Sequence, residues 1–176
     1  DSLCALPLVL DYANFRAEGL ANYYLVQLKK EAVKILDEIN SSTGNDYDLE
    51  KDGLVIQSTL DYDLQEHVNS SFKEHLGVMQ KRLRMQYQHS GLKNELNELT
   101  NRQYEKLALK QDSVHAVNLF SWDGFYTDSI TTRDSLKHAL SFLQAGLVGI
   151  NPEDGAIKTW VGGIDFRTQP YDQVLA

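Results

Sequence analysis

The chain of 176 residues carries 25 acidic against 17 basic side chains, a net charge of -8, with 42 % apolar and 24 % charged residues. This composition excludes disordered, collagen-like and low-complexity classes and leaves room for a folded core burying about 70 % of the unfolded chain's surface. A field of this sign repels phosphate backbones and anionic headgroups, so nucleic acid is not an expected partner; the local cluster Lys81, Arg82 and Arg84 reads as a solvated helix face.

The opening LCALPLVLDY is apolar but interrupted by Pro7, which predicts an extended segment packed on something else. From about Leu20, apolar residues at Leu25, Leu28, Ala32, Ile35 or Leu36, and Ile39 have helical spacing, and the helix should stop in the loop NSSTGND. GLVIQSTLD then alternates and is rich in β-branched residues, which predicts a strand. Asp61 or Asp63 can cap the next helix, whose stripe is Leu64, Val68, Phe72, Leu76, Met79 and Leu83.

After a break at His89 to Gly91, a second helical pattern runs through Leu92, Leu96, Leu99, Tyr104 and Leu107, predicting an antiparallel helix pair. VHAVNLFSW and FYTDSIT flank Asp123-Gly124, a hairpin signal. Thr131 or Thr132 can cap a helix carrying Leu136, Leu140 and Leu143. A last hairpin follows, AGLVGI and AIKTWVGG about the turn NPEDG, with Pro152 at its first corner and Gly155 in the left-handed position. Gly162 and Gly163 mark either a close approach or a turn at positive φ, and Ile157 and Trp160 give opposite faces to a strand covered on both sides. The fold class is α+β, antiparallel β-hairpins packed with amphipathic helices.

Groupings that could carry chemistry are sparse. Cys4 is the lone cysteine, which rules out an intrachain disulfide. His67 and His75 are two helical turns, about 12 Å, apart, too far to share a metal without a third element. Asp46, Asp48, Glu50 and Asp52 alternate in a loop, but the glycine and final glutamate of a calcium-binding loop are out of register, so they read as a solvated acidic loop. No metal or cofactor is expected. No run reaches the ~18 apolar residues of a membrane span, and there is no signal-peptide pattern. The first residue is Asp1, so any export or anchoring segment of an exported parent is expected to lie elsewhere.

Two segments, in order, carry a resemblance. GLVIQSTLDYDLQ, Gly53 to Gln65, is similar to the strand and helix start that precede the transpeptidase domain in bacterial class A penicillin-binding proteins. SFLQAGLVGINPEDGAIKTWVGGIDF, Ser141 to Phe166, resembles that domain's first hairpin through Pro152, Gly155, Ile157, Trp160, Val161, Gly162, Gly163, Asp165 and Phe166, with Tyr171-Asp172 just beyond. Asn151 departs from the family's usual Asp, a mild change because both residues start turns. The direct resemblance covers about a quarter of the chain.

The resemblance implies an internal piece of a bifunctional peptidoglycan synthase, divided into an extended segment and linker helix (1-52), a linker strand, helical pair and hairpin insertion (53-140), and the first hairpin of an incomplete transpeptidase sheet (141-176). It implies the periplasmic side of the inner membrane, with an anchor elsewhere, no direct membrane contact by this piece, and the glycosyltransferase and transpeptidase domains as flanking partners. No catalytic residue is expected here. The family's serine nucleophile has a lysine three residues on, at a helix start. Ser70-Ser71-Phe72-Lys73 has that spacing but falls in mid-helix, no Ser-x-Asn occurs, and Lys158-Thr159 is followed by Trp160 where the third motif needs glycine. The rival readings are a module docking regulators of wall synthesis through residues 72-132, and an unrelated soluble α+β binding protein with a closed sheet.

Overall fold

The computed structural model describes residues 19–108 and 112–175, and it is an α+β fold of four helices and two separate two-stranded antiparallel sheets. The expected extended segment around Pro7, and Cys4 with it, lie outside the described residues.

Helix α1, Asn22–Thr43, runs as its apolar spacing predicts and ends where Gly44 takes φ 72, its N–H donating to the Asn40 carbonyl at 2.9 Å. Only its first turns are covered: Tyr23 and Tyr24 are buried, whereas Val33, Ile35 and Ile39 are exposed. Helix α2, Tyr62–Gln86, is capped by Asp61, whose Oδ1 accepts from the Leu64 N–H at 3.0 Å. The expected stripe holds at Leu76, which is buried, and at Val68, Phe72 and Leu83, which are half-buried. Leu64 and Met79 are exposed, and the fully covered positions are Gln65, Leu76 and Gln80.

Helix α3, Ser90–Lys106, follows after three residues, but it packs on α4, Thr132–Leu140, rather than forming the predicted pair with α2. The reason is the partner surface: β1, Val114–Ser121, and β2, Gly124–Thr131, also rest on α4, which thereby becomes the centre of its own small layer. Thr131 caps α4 through its hydroxyl, which accepts from the Asp134 N–H at 3.1 Å. The β1–β2 hairpin forms, with one change. Ser121 pairs with Gly124, so the loop is Trp122-Asp123, and the positive φ of 131 falls on Gly124 alone. Neither loop residue has the left-handed backbone that an Asp-Gly turn of the primed type requires.

The second sheet pairs β3, Leu147–Ile150, with β4, Ile157–Val161. Its turn is as predicted: Gly155 takes φ 73 and its N–H reaches the Asn151 carbonyl at 2.9 Å. Residues 159–161 of β4 are buried, and α1 and α2 both lie against the strand, as its double-faced composition predicts. Ala21, Tyr23, Tyr24 and Trp160 form the core there, backed by Leu28, Leu60, Ile157, Phe166 and Val174.

The predicted strand over residues 53–61 does not form. Only its end reaches the outer edge of β4, where the Asp61 N–H donates to the Lys158 carbonyl at 2.9 Å and the Thr59 hydroxyl to the Ile157 carbonyl at 2.8 Å. Farther back the segment has no ladder to join, and Val55 is 89 % exposed. A β-prone sequence becomes a strand only where backbone partners are offered.

Candidate functional site

The most constrained place in the molecule is the junction of α2 with β4. Gln65 is 0 % exposed, and its side-chain amide occupies the position that a neighbouring strand would otherwise fill. Oε1 accepts from the Trp160 N–H at 2.8 Å and from the Thr159 hydroxyl at 2.9 Å. Nε2 donates to the Trp160 carbonyl at 3.1 Å and to Asn69 Oδ1 at 3.0 Å. Both outward backbone groups of Trp160 are therefore satisfied by one side chain, and the edge of β4 is sealed where it is most buried.

Four turns on, Gln80 repeats the device. It is 1 % exposed, donates to the Ser141 carbonyl and accepts from the Leu143 N–H, both at 2.9 Å. Two buried glutamines on α2 thus hold the backbone on either side of β3. Sequence reasoning missed both, because a glutamine between an apolar and a charged residue, as in Leu64-Gln65-Glu66 and Met79-Gln80-Lys81, carries no periodicity that separates a buried amide from an exposed one.

Gly162 and Gly163 resolve in favour of close approach. Neither has positive φ, and a β-carbon at Gly162 would lie 2.5 Å from Tyr23 Cγ and 2.5 Å from Asp172 Oδ1. A β-carbon at Gly163 would strike the Tyr23 hydroxyl. That hydroxyl donates to the Gln169 carbonyl at 2.6 Å, and the ring meets Phe166 edge-to-face at 5.0 Å. Burial, then the charges of Asp165 and Asp172, push the Tyr23 phenol well above its usual range. Asp172 also accepts from the Trp160 indole N–H at 3.0 Å, while Gln173 N–H donates to the Gly162 carbonyl at 2.7 Å. Tyr171-Asp172 and the glycine pair therefore belong to one packed knot.

Beside this knot lies an open cleft of roughly 490 Å3 between the start of α1, α2, the β1–β2 loop and residues 160–167. Its walls include Phe72, Phe120, Trp122 and Phe125, with the Arg167 guanidinium 4.1 Å from the Phe125 ring centre and 3.2 Å from Asp165 Oδ2. Phe120 links the walls, lying edge-to-face against Phe142, Trp122 and Phe125.

The sequence candidates for chemistry are not assembled. Ser70 and Lys73 are both exposed in the third turn of α2, with no hydrogen bond between them among the described residues. His67 is tied to its own helix through the Asp63 carbonyl at 2.6 Å. The acidic loop closes on itself: Asp52 accepts from the Asp48 N–H, Asp48 from the Glu50 N–H and Lys51, and Glu50 pairs with Lys29. No group of three or more metal-ligating side chains occurs among the described residues. Lys158 and Thr159 are spent on structure, the first through its carbonyl to Asp61 and the second, 2 % exposed, through its hydroxyl to Gln65. Lys81, Arg82 and Arg84 are exposed, as read from the sequence, and no described helix is long and apolar enough to cross a membrane.

Within the 72–132 stretch, Val78, Met79 and Met85 stand exposed on α2. No family model matches the chain, and no curated protein or solved structure is significantly similar to it.

Proposed function

We propose that the chain is a non-catalytic linker and lead-in region of a bifunctional peptidoglycan synthase, spacing its glycosyltransferase and transpeptidase domains and supplying the first hairpin of the transpeptidase sheet. The observation that carries this reading is the meeting of the two resembling segments. Gly53 to Gln65 and Ser141 to Phe166 are far apart in sequence, yet they join through Thr59 to Ile157, Asp61 to Lys158 and Gln65 to Trp160. The two-stranded β3–β4 sheet, whose β3 edge has no pairing strand among the described residues, also supports it over a self-contained binding protein, which should close its sheet. On this reading the chain works outside the cytoplasmic membrane beside its flanking domains.

Two measurements test it. The purified chain should take up no fluorescent penicillin; covalent labelling lost in Ser70→Ala would overturn the reading. The coding sequence beyond Ala176 should soon reach a Ser-x-x-Lys at a helix start, and its absence would sink the family assignment. The docking alternative draws support from exposed Val78, Met79 and Met85. It expects Val78→Glu with Met85→Glu to abolish binding of a wall-synthesis regulator without changing the far-UV spectrum.

A further inference from the structure

The hairpin β1–β2 and helix α4 meet α2 at a small polar–aromatic junction centred on His138. This residue, half-buried in the last turn of α4, lies edge-to-face on Phe142 with ring centres 5.0 Å apart. Its Nε2 is 3.4 Å from the Tyr126 hydroxyl of β2. Arg84 of α2 covers the same Phe142 ring at 5.8 Å. Across the hollow that His138 lines stands Arg167, already paired with Asp165.

The charges around the imidazole are one-sided. From α2 it faces Arg84, from the segment after β4 Arg167, and from β2 the uncharged phenol of Tyr126. β1 contributes Asn118 and Phe120 to the hollow, and no side chain of α3 interacts with the ring among the described residues. On α4 itself, Asp134 lies one turn before His138, and its carboxylate is turned back to the start of the helix, where it accepts from the Thr131 hydroxyl at 3.0 Å. The carbonyls at the end of α4 would otherwise favour a cation there. They are occupied: Ser141 donates its N–H to Lys137 and His138 and its hydroxyl to His138.

We propose that His138 is a proton-operated latch between the β1–β2/α4 unit and α2. Neutral, the imidazole packs on Phe142 and accepts from Tyr126; protonated, it becomes a further cation beside Arg84 with no carboxylate bonded to it among the described residues, and the junction loosens. Burial and then Arg84 hold its proton affinity below the ordinary histidine range, in keeping with that geometry. The sign follows. The unfolded or released histidine binds a proton below about pH 6.5, before the latched one does, so acid favours release and the latched state holds above that value. Gln80, which grips Ser141 and Leu143, keeps the following segment on α2 while the unit before it moves.

The chain contains its own reporters. Trp122, in the β1–β2 loop, lies against Gly77 of α2, whereas Trp160 sits in the separate core by Gln65. With 5-fluorotryptophan incorporated, fluorine NMR follows each from pH 8 to 5. The Trp122 signal should move toward its solvent-exposed position with a midpoint below about pH 6.5 while Trp160 stays fixed. In His138→Gln the Trp122 signal should not move over that range, and in Arg84→Gln the release should shift to lower pH, because the latched imidazole then takes up its proton more readily and less is gained by letting go. The proposal is overturned if His138→Gln keeps the wild-type transition, if Arg84→Gln leaves the midpoint unchanged, if both tryptophans move together, or if neither moves.

Discussion

Replacing Gln65 by methionine tests whether α2 holds β4 by hydrogen bonds or by shape. The two side chains have similar length and volume, so Gln65→Met leaves little cavity and removes the amide alone. Three buried groups lose their partner: the N–H and C=O of Trp160 and the hydroxyl of Thr159. Trp160 is 8 % exposed and Thr159 2 %, so water cannot replace the amide without opening the core. An orphaned buried polar group costs about 1–3 kcal/mol, and with some relaxation three of them should cost roughly 3–5 kcal/mol. Against a typical stability of about 5–15 kcal/mol this is a large fraction. Urea unfolding followed by circular dichroism measures it as a drop in midpoint at constant slope. Gln65→Glu sharpens the result, because it keeps one acceptor but faces Asn69 Oδ1 and the Trp160 carbonyl with a carboxylate, so its deficit should shrink in acid as the carboxyl gains a proton. A loss under about 1 kcal/mol for Gln65→Met would refute the reasoning and leave apolar packing as what joins α2 to β4.

Two further perturbations address the Tyr23 knot. Gly162→Ala places a methyl 2.5 Å from Tyr23 Cγ and should cost about 1–3 kcal/mol by overpacking, whereas Gly155→Ala, with nothing within 4 Å but φ 73, should cost about 1 kcal/mol through backbone strain; thermal melts rank them. Because the folded Tyr23 phenol is raised above its unfolded value, its contribution to stability is complete below pH ~10 and falls away as pH rises further, where the unfolded chain releases that proton first. Tyr23→Phe should therefore be less stable at neutral pH by about 1 kcal/mol, from the lost bond to Gln169, and should show a shallower alkaline decline in urea midpoints than the parent chain.

What the sequence made legible was local. Asp61 and Thr131 act as caps, α1 stops in the NSSTGND loop, Gly155 takes left-handed backbone, and both hairpins form, because each depends on chemistry within a few residues. The misses were set by tertiary partners. Gly53 to Asp61 has strand composition but receives backbone partners only at its end, and α3 finds α4 instead of α2. The α2 stripe failed at Leu64 and Met79 because the covered positions beside them are Gln65 and Gln80, polar residues that a hydrophobic count passes over. Gly162 and Gly163 were recognisable as special; that the approaching group is Tyr23, on the first helix, was not written near them.

The use of a side-chain amide as a substitute strand bears on how so small a sheet persists. A two-stranded ribbon alone is marginal in water. Here β4 gains the missing half of its ladder from Gln65, Asp61 and Gln173, which bond to Trp160, Lys158 and Gly162 in turn. These groups cannot propagate a sheet, since they come from a helix start and a crossing segment. Further strands can therefore add only along β3, where no hydrogen bond leaves the outer edge among the described residues and Val148 and Ile150 are exposed. The two edges of one hairpin are thus chemically unequal: one is closed by glutamine and carries the core, and the other is apolar, short and without a pairing strand among the described residues.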